Sequence, residues 1–154
     1  MKKLLLLFGI MSSLLMGENE KSVDVQVTAR VIKPIEVVDK ENVDFGTIVA
    51  GQENVQAKSK GSITFSGEGK VKLTWKAEEG HAFDRIDHPI VVTIANGKNE
   101  IKTKISAEKV SKEVLDLNGA EKTIVFNGEI DEVSKEASTG SYSGNFTVRA
   151  EYID

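Results

Sequence analysis

Two histidines and four carboxylates fall within one short stretch: Glu78, Glu79, His81, Asp84, Asp87 and His88. Imidazole and carboxylate are ligands for zinc and for harder cations, and a polar loop can bring them together. Their spacing matches no ligand signature, and acidic loops are commonly just solvated surface, so no metal site is expected. Nucleophilic catalysis has as little support. Serine and histidine are present as residue types, but no nucleophile elbow accompanies them. Carboxylate pairs are abundant, yet 29% of the residues are charged, so such pairs arise by chance. The chain has no cysteine, which removes thiolate zinc sites and cysteine nucleophiles outright. Asn145-Phe146-Thr147 fits a glycosylation sequon but lies in an alternating strand pattern. The expectation is therefore no enzyme, no catalytic residue and no cofactor.

The elements around these residues read as strands. From Val23 the apolar positions alternate through Val25, Val27, Ala29 and Val31, against Asp24, Gln26, Thr28 and Arg30. The same period of two runs through Ile63 and Phe65, then Val71, Leu73 and Trp75, then Ile90, Val92 and Ile94. It continues through Ile101, Thr103 and Ile105, then Ile124, Phe126 and Ile130, and returns at the end in Tyr142, Gly144, Phe146, Val148, Ala150 and Tyr152. Strands with one wet and one dry face are antiparallel as a rule. Trp75, sharing its face with Val71 and Leu73, reads as core rather than as a sugar-stacking platform.

Turn residues separate the runs. Ser66-Gly67-Glu68-Gly69 reads as a hairpin, and Asn96-Gly97, Asn118-Gly119 and Asn127-Gly128 supply positions that tolerate positive φ. Pro34 and Pro89 sit at the edges of runs. Residues 106–117 are either a polar connection with a brief strand or a short helix with Val110, Val114 and Leu117 on one face. Residues 129–140 read as a solvated loop. No internal repeat or linker divides the chain. Many short strands with turns between them imply two packed antiparallel sheets, an all-β sandwich.

Lys2 and Lys3 precede an apolar run from Leu4 to Leu15, and polar residues begin at Glu18. That is the pattern of a secretory signal peptide, expected to cover residues 1–17, and the run is short for a permanent span. The remaining chain is close to the size of one domain and long enough to bury a core. Its net charge, −4 for the whole sequence, becomes more acidic once the two lysines are removed. Neither a basic patch nor a basic amphipathic helix is visible, so no nucleic-acid partner and no direct membrane insertion are expected.

Residues 18–31 then stand as an N-terminal extension ahead of a domain over 32–154. A strand with a dry face and free N–H and C=O groups either pairs in its own domain or invites pairing with another chain. Val25-Gln26-Val27-Thr28-Ala29-Arg30-Val31, followed by Ile35-Glu36-Val37-Val38, resembles the mature start of pilins of the chaperone–usher class, most closely the alpha-type colonisation-factor fimbriae. Gly140-Ser141-Tyr142-Ser143-Gly144-Asn145-Phe146-Thr147-Val148 resembles the Gly-x-Tyr-x-Gly stretch opening their last strand. Gly140 and Tyr152 are similar to the glycine and near-terminal tyrosine of the wider pilin superfamily. Val43-Asp44-Phe45-Gly46-Thr47-Ile48 is similar to a motif of pilins and of exported β domains of unassigned function.

The resemblance implies an immunoglobulin-like antiparallel β-sandwich that serves as a structural subunit of a surface fimbria, exported through the periplasm and supporting cell adhesion. It implies donor residues Val23, Val25, Val27, Ala29 and Val31, filling a neighbouring subunit by strand addition. It implies a last, acceptor strand carrying Tyr142, Gly144, Phe146, Val148 and Tyr152. The implied partners are other copies of itself or related pilins, a periplasmic chaperone and an outer-membrane usher. The alternative is a self-complete secreted or surface β-sandwich that binds a ligand.

Overall fold

The computed structural model describes residues 22–77, 81–108, 110 and 113–153. The expected signal peptide, and residues 18–21 of the extension, lie outside the described residues. The chain divides into two units, Met1–Arg30 and Val31–Asp154. In the first, residues 22–30 form no regular structure and their side chains are exposed.

The second unit is all-β. Its strands are β1 (Glu36–Glu41), β2 (Glu53–Gln56), β3 (Gly61–Ser66), β4 (Glu68–Lys76), β5 (Asp84–Arg85), β6 (Ile90–Asn96), β7 (Asn99–Glu108), β8 (Val114–Asn118), β9 (Lys122–Glu132) and β10 (Thr147–Tyr152). One sheet has the order β1-β3-β9-β7-β6, with β2 also on β9. The other has the order β10-β4-β5, with β8 beside β5 along the same edge of β4. Every strand pairing is antiparallel. Among the described residues there is no helix; of the stretch over 106–117, residues 106–108 end β7 and residues 114–117 lie in β8, so Val114 and Leu117 are strand residues.

The alternation becomes burial. Val71, Leu73 and Trp75 of β4 and Leu117 of β8 face Phe65, Ile90, Val92, Ile105, Ile124 and Phe126 of the first sheet, forming the principal core between the sheets. Trp75 is fully buried, with its ring 5.9 Å from Phe126 and 6.0 Å from Phe146, as its place in the pattern requires. Its Nε1–H has no acceptor among the described residues. β9 is the longest strand and carries its inward face into a second cluster of Val55, Ile101, Ile130 and Val133. Phe45, Ile48 and Tyr142 close that cluster from the loops.

Three turn assignments change. The hairpin expected at Ser66–Gly69 is a corner: β3 belongs to one sheet and β4 to the other, and only Gly67 separates them. One residue cannot reverse the chain, so the strand bends and switches sheets instead, a device of sandwiches whose sheets cross steeply. Gly67 has φ 142°, and a Cβ there would lie 2.8 Å from the Pro34 carbonyl oxygen. Asn127-Gly128 lies inside β9 and is no turn; Gly128 is buried because the Phe45 ring occupies the space of a side chain. The solvated loop expected over 129–140 starts late, since β9 continues to Glu132, Ile130 is fully buried and Val133 nearly so. Asn96-Gly97 is a turn as expected, opening the two-residue connection between β6 and β7 with Gly97 at φ 61°.

Candidate functional site

β10 is a strand because Thr147, Val148, Arg149, Ala150, Glu151 and Tyr152 alternate wet and dry positions against β4. It pairs with β4 over its whole length, from Thr147 opposite Lys76 to Tyr152 opposite Val71. Among the described residues nothing pairs with its other edge. The Ile153 N–H donates to Lys70 O at 3.0 Å, which sets the ladder. By antiparallel alternation, the N–H and C=O groups of Val148, Ala150 and Tyr152 then point toward the free edge.

Burial across this pair is unequal. On β4, Val71, Leu73 and Trp75 are at most 1% exposed. Opposite them, Val148 and Ala150 are only half-buried against the same core, and Tyr152 keeps 43% of its surface. The core is sealed along β4 and left open along β10.

The edges of β6, β1 and β8 are treated differently. The outer edge of β6 is covered near its end, where Ala95 and Ser143 exchange backbone hydrogen bonds of 2.9 and 3.1 Å. Gly140 and Gly144 let the chain come this close. A Cβ on Gly140 would lie 2.2 Å from Asn96 Nδ2, and one on Gly144 would lie 2.3 Å from Thr93 O. β1 carries Glu36, Asp39, Lys40 and Glu41, and its register slips between Val37 and Asp39. Charges and bulges are the means by which natural edges resist pairing. β8 is short, and its inward Leu117 is fully buried.

The residues expected on one acceptor strand are therefore divided. Phe146, Val148 and Ala150 pack against the principal core, and Tyr152 donates its hydroxyl to Lys33 O at 2.8 Å. Tyr142 and Gly144 precede β10: Tyr142 enters the second cluster, with its hydroxyl donating to Ser138 O at 2.9 Å, and Gly144 lies against β6. The Gly-x-Tyr-x-Gly stretch is a second corner, where the chain leaves the first sheet before joining the other. The segment 143–152 thus crosses the first sheet from its β6 edge toward the start of β1.

The expected donor row forms no strand, and residues 22–35 carry no regular structure. Val23, Val25, Val27 and Val31 are 80–93% exposed, and Ala29 is exposed as well. A row of four valines with strand alternation and no burial is costly in water, by roughly 1.5 kcal/mol or more for each side chain left unburied.

The Val43–Ile48 motif has a structural account. Asp44 exchanges backbone bonds of 3.0 and 2.9 Å with Ser59, and its carboxylate accepts the Gly46 N–H at 2.9 Å. This turn delivers Phe45 and Ile48 to the second cluster.

The histidine loop is organised by Arg85. Its Nε and Nη2 donate to the two oxygens of Asp87 at 3.0 and 2.6 Å. That hydrogen bond, then the guanidinium charge, holds the Asp87 carboxyl below its ordinary range. His88 Nδ1 stands 3.9 Å from Asp84, and Glu78 and Glu79 lie outside the described residues. Among the described residues no three His, Asp or Glu side chains converge as metal ligands. No protein-family model matches the chain, and no curated protein matches it.

Proposed function

We propose that this chain is the structural subunit of a surface fibre, in which residues 18–31 of one copy add as a strand to the free edge of β10 in the next. The observation that carries the reading is the unequal burial of β4 and β10, together with an alternating valine row that forms no strand. One strand laid along β10 would pair the outward N–H and C=O groups of Val148, Ala150 and Tyr152. It would also bring a dry face to the half-open core.

The strand order supports the same reading. On this reading β1-β3-β9-β7 in one sheet stand as A-B-E-D and β4-β10 in the other as C-F of an immunoglobulin-type sandwich, with β2, β5, β6 and β8 as additions. In that frame a seventh strand lies beside F, the position left free beside β10. On this reading the Lys2–Leu15 run exports the chain, a periplasmic chaperone pairs with β10 until assembly, and an outer-membrane usher receives the subunit. The product is a fimbria at the cell surface that supports adhesion.

The test is assembly of the purified protein, read as ladders of heat-labile oligomers on unboiled gels. The full chain is expected to form them, and a variant lacking residues 18–31 to remain a monomer that still binds a chaperone. Fibres from the truncated variant would refute the donor role.

A further inference from the structure

A second feature of β10 lies on its outward face. Thr147 stands opposite Lys76 of β4, and Arg149 is two residues further along the same face. Phe83, just before β5, lies over both cations. The Arg149 guanidinium is 3.6 Å from the ring centroid and the Lys76 ammonium 5.2 Å. Across the gap, Thr93 of β6 and Asn145 of the corner segment complete a cleft of about 720 Å³.

Each part of the cleft has a chemical consequence. A guanidinium stacked on an aromatic face keeps its in-plane N–H donors available, and that fork matches a carboxylate with two parallel bonds. Arg149 spends one donor on Glu151, a single contact of 3.3 Å from Nη1 to Oε1 at the exposed rim. Lys76 adds a second positive charge beside the same ring. Thr93, Asn145 and Thr147 are neutral groups that both donate and accept, which suits hydroxyl groups better than charges. The volume is in the range of small-molecule sites, and the neutral hydroxyl and amide lining favours sugar hydroxyls over an acidic peptide.

We propose that this cleft binds the carboxylate of an acidic saccharide, with Arg149 as the anchor and Thr93, Asn145 and Thr147 meeting the ring hydroxyls. The site uses the outer face of β10, whereas strand addition uses its edge, so the two roles are compatible. The proposal does not rest on the fibre reading.

The experiment is a titration of full-length Ala29→Arg protein, which should remain monomeric and leaves the cleft intact, followed by backbone amide shifts. The probes are galacturonic acid and N-acetylneuraminic acid, with galactose as the neutral sugar and tetraglutamate as the acidic peptide. The acidic sugars should shift the amides of Thr93, Asn145 and Arg149, with affinity about tenfold weaker in Arg149→Gln and in the neutral sugar. Arg149→Lys should fall between, because it keeps the charge and loses the fork. If Arg149→Gln loses its dispersed spectrum, Asn145→Ala in the exposed corner gives the same comparison. Absence of shifts at millimolar acidic sugar would overturn the proposal. So would equal binding of galactose, or equal binding of tetraglutamate.

Discussion

Ala29 and Thr28 are adjacent, and in an extended strand their side chains point to opposite faces. If the extension inserts with one buried face, Ala29→Arg puts an unpaired charge into an apolar groove, costing on the order of several kcal/mol. Thr28→Arg alters the wet face and should be tolerated within roughly 0.5 kcal/mol. Both variants add the same side chain, so solubility and charge effects largely cancel. Oligomer ladders should vanish for Ala29→Arg and persist for Thr28→Arg; matching behaviour would mean that no single face is buried. A second residue-scale expectation concerns acid. The Asp87 carboxyl is held low by Arg85, so the pair stabilises the fold above the ordinary carboxylate value of 3.8. That contribution is lost as pH falls from there through the lowered native value. Urea midpoints below about pH 4 should therefore fall more steeply in the native sequence than in Asp87→Asn. Equal slopes would show that the pair is not maintained in solution.

At the scale of elements, the two corners decide which edge stays open. Gly67 turns the chain out of the first sheet, and the Gly140–Gly144 segment covers the end of β6 on the way to β10. Gly144→Ala would push a methyl into the Thr93 carbonyl, which stands 2.3 Å from that Cβ position. The expected cost is about 1–3 kcal/mol, read from urea midpoints, with faster amide exchange at Ala95. Ser141→Ala, on the exposed stretch nearby, should change stability by less than about 0.5 kcal/mol. A Gly144→Ala protein as stable as the native one would mean that the corner relaxes freely. These corners are also where the period of two stops being informative. A period of two reports which side chains are dry, and it located the core faces of β3, β4, β6, β7 and β9 and the inward Phe146, Val148 and Ala150. It does not report which sheet a strand joins. The alternation passes through Ser66–Gly69 as it would through a hairpin, and Tyr142 to Tyr152 reads as one strand although its two halves serve different sheets. Gly128 reads as a turn glycine because the Phe45 ring that requires it comes from a distant loop.

For the whole molecule, the proposed assembly turns on the edge of β10 that has no partner among the described residues. The valine row is visible in the sequence as alternation, but the open edge is not, because an edge is defined by the strand that fails to pair with it. Amide exchange measures that edge directly. The experiment uses full-length Ala29→Arg protein, which should remain monomeric, with and without a synthetic peptide of residues 18–31 carrying the native Ala29. The Val148, Ala150 and Tyr152 amides point to the free edge and should slow by about tenfold or more when the peptide binds. Arg149 and Glu151, already bonded to β4 by the ladder alternation, should change much less. If the peptide leaves Val148, Ala150 and Tyr152 unprotected, or protects β1 or β8 instead, the claim that β10 is the acceptor strand is wrong.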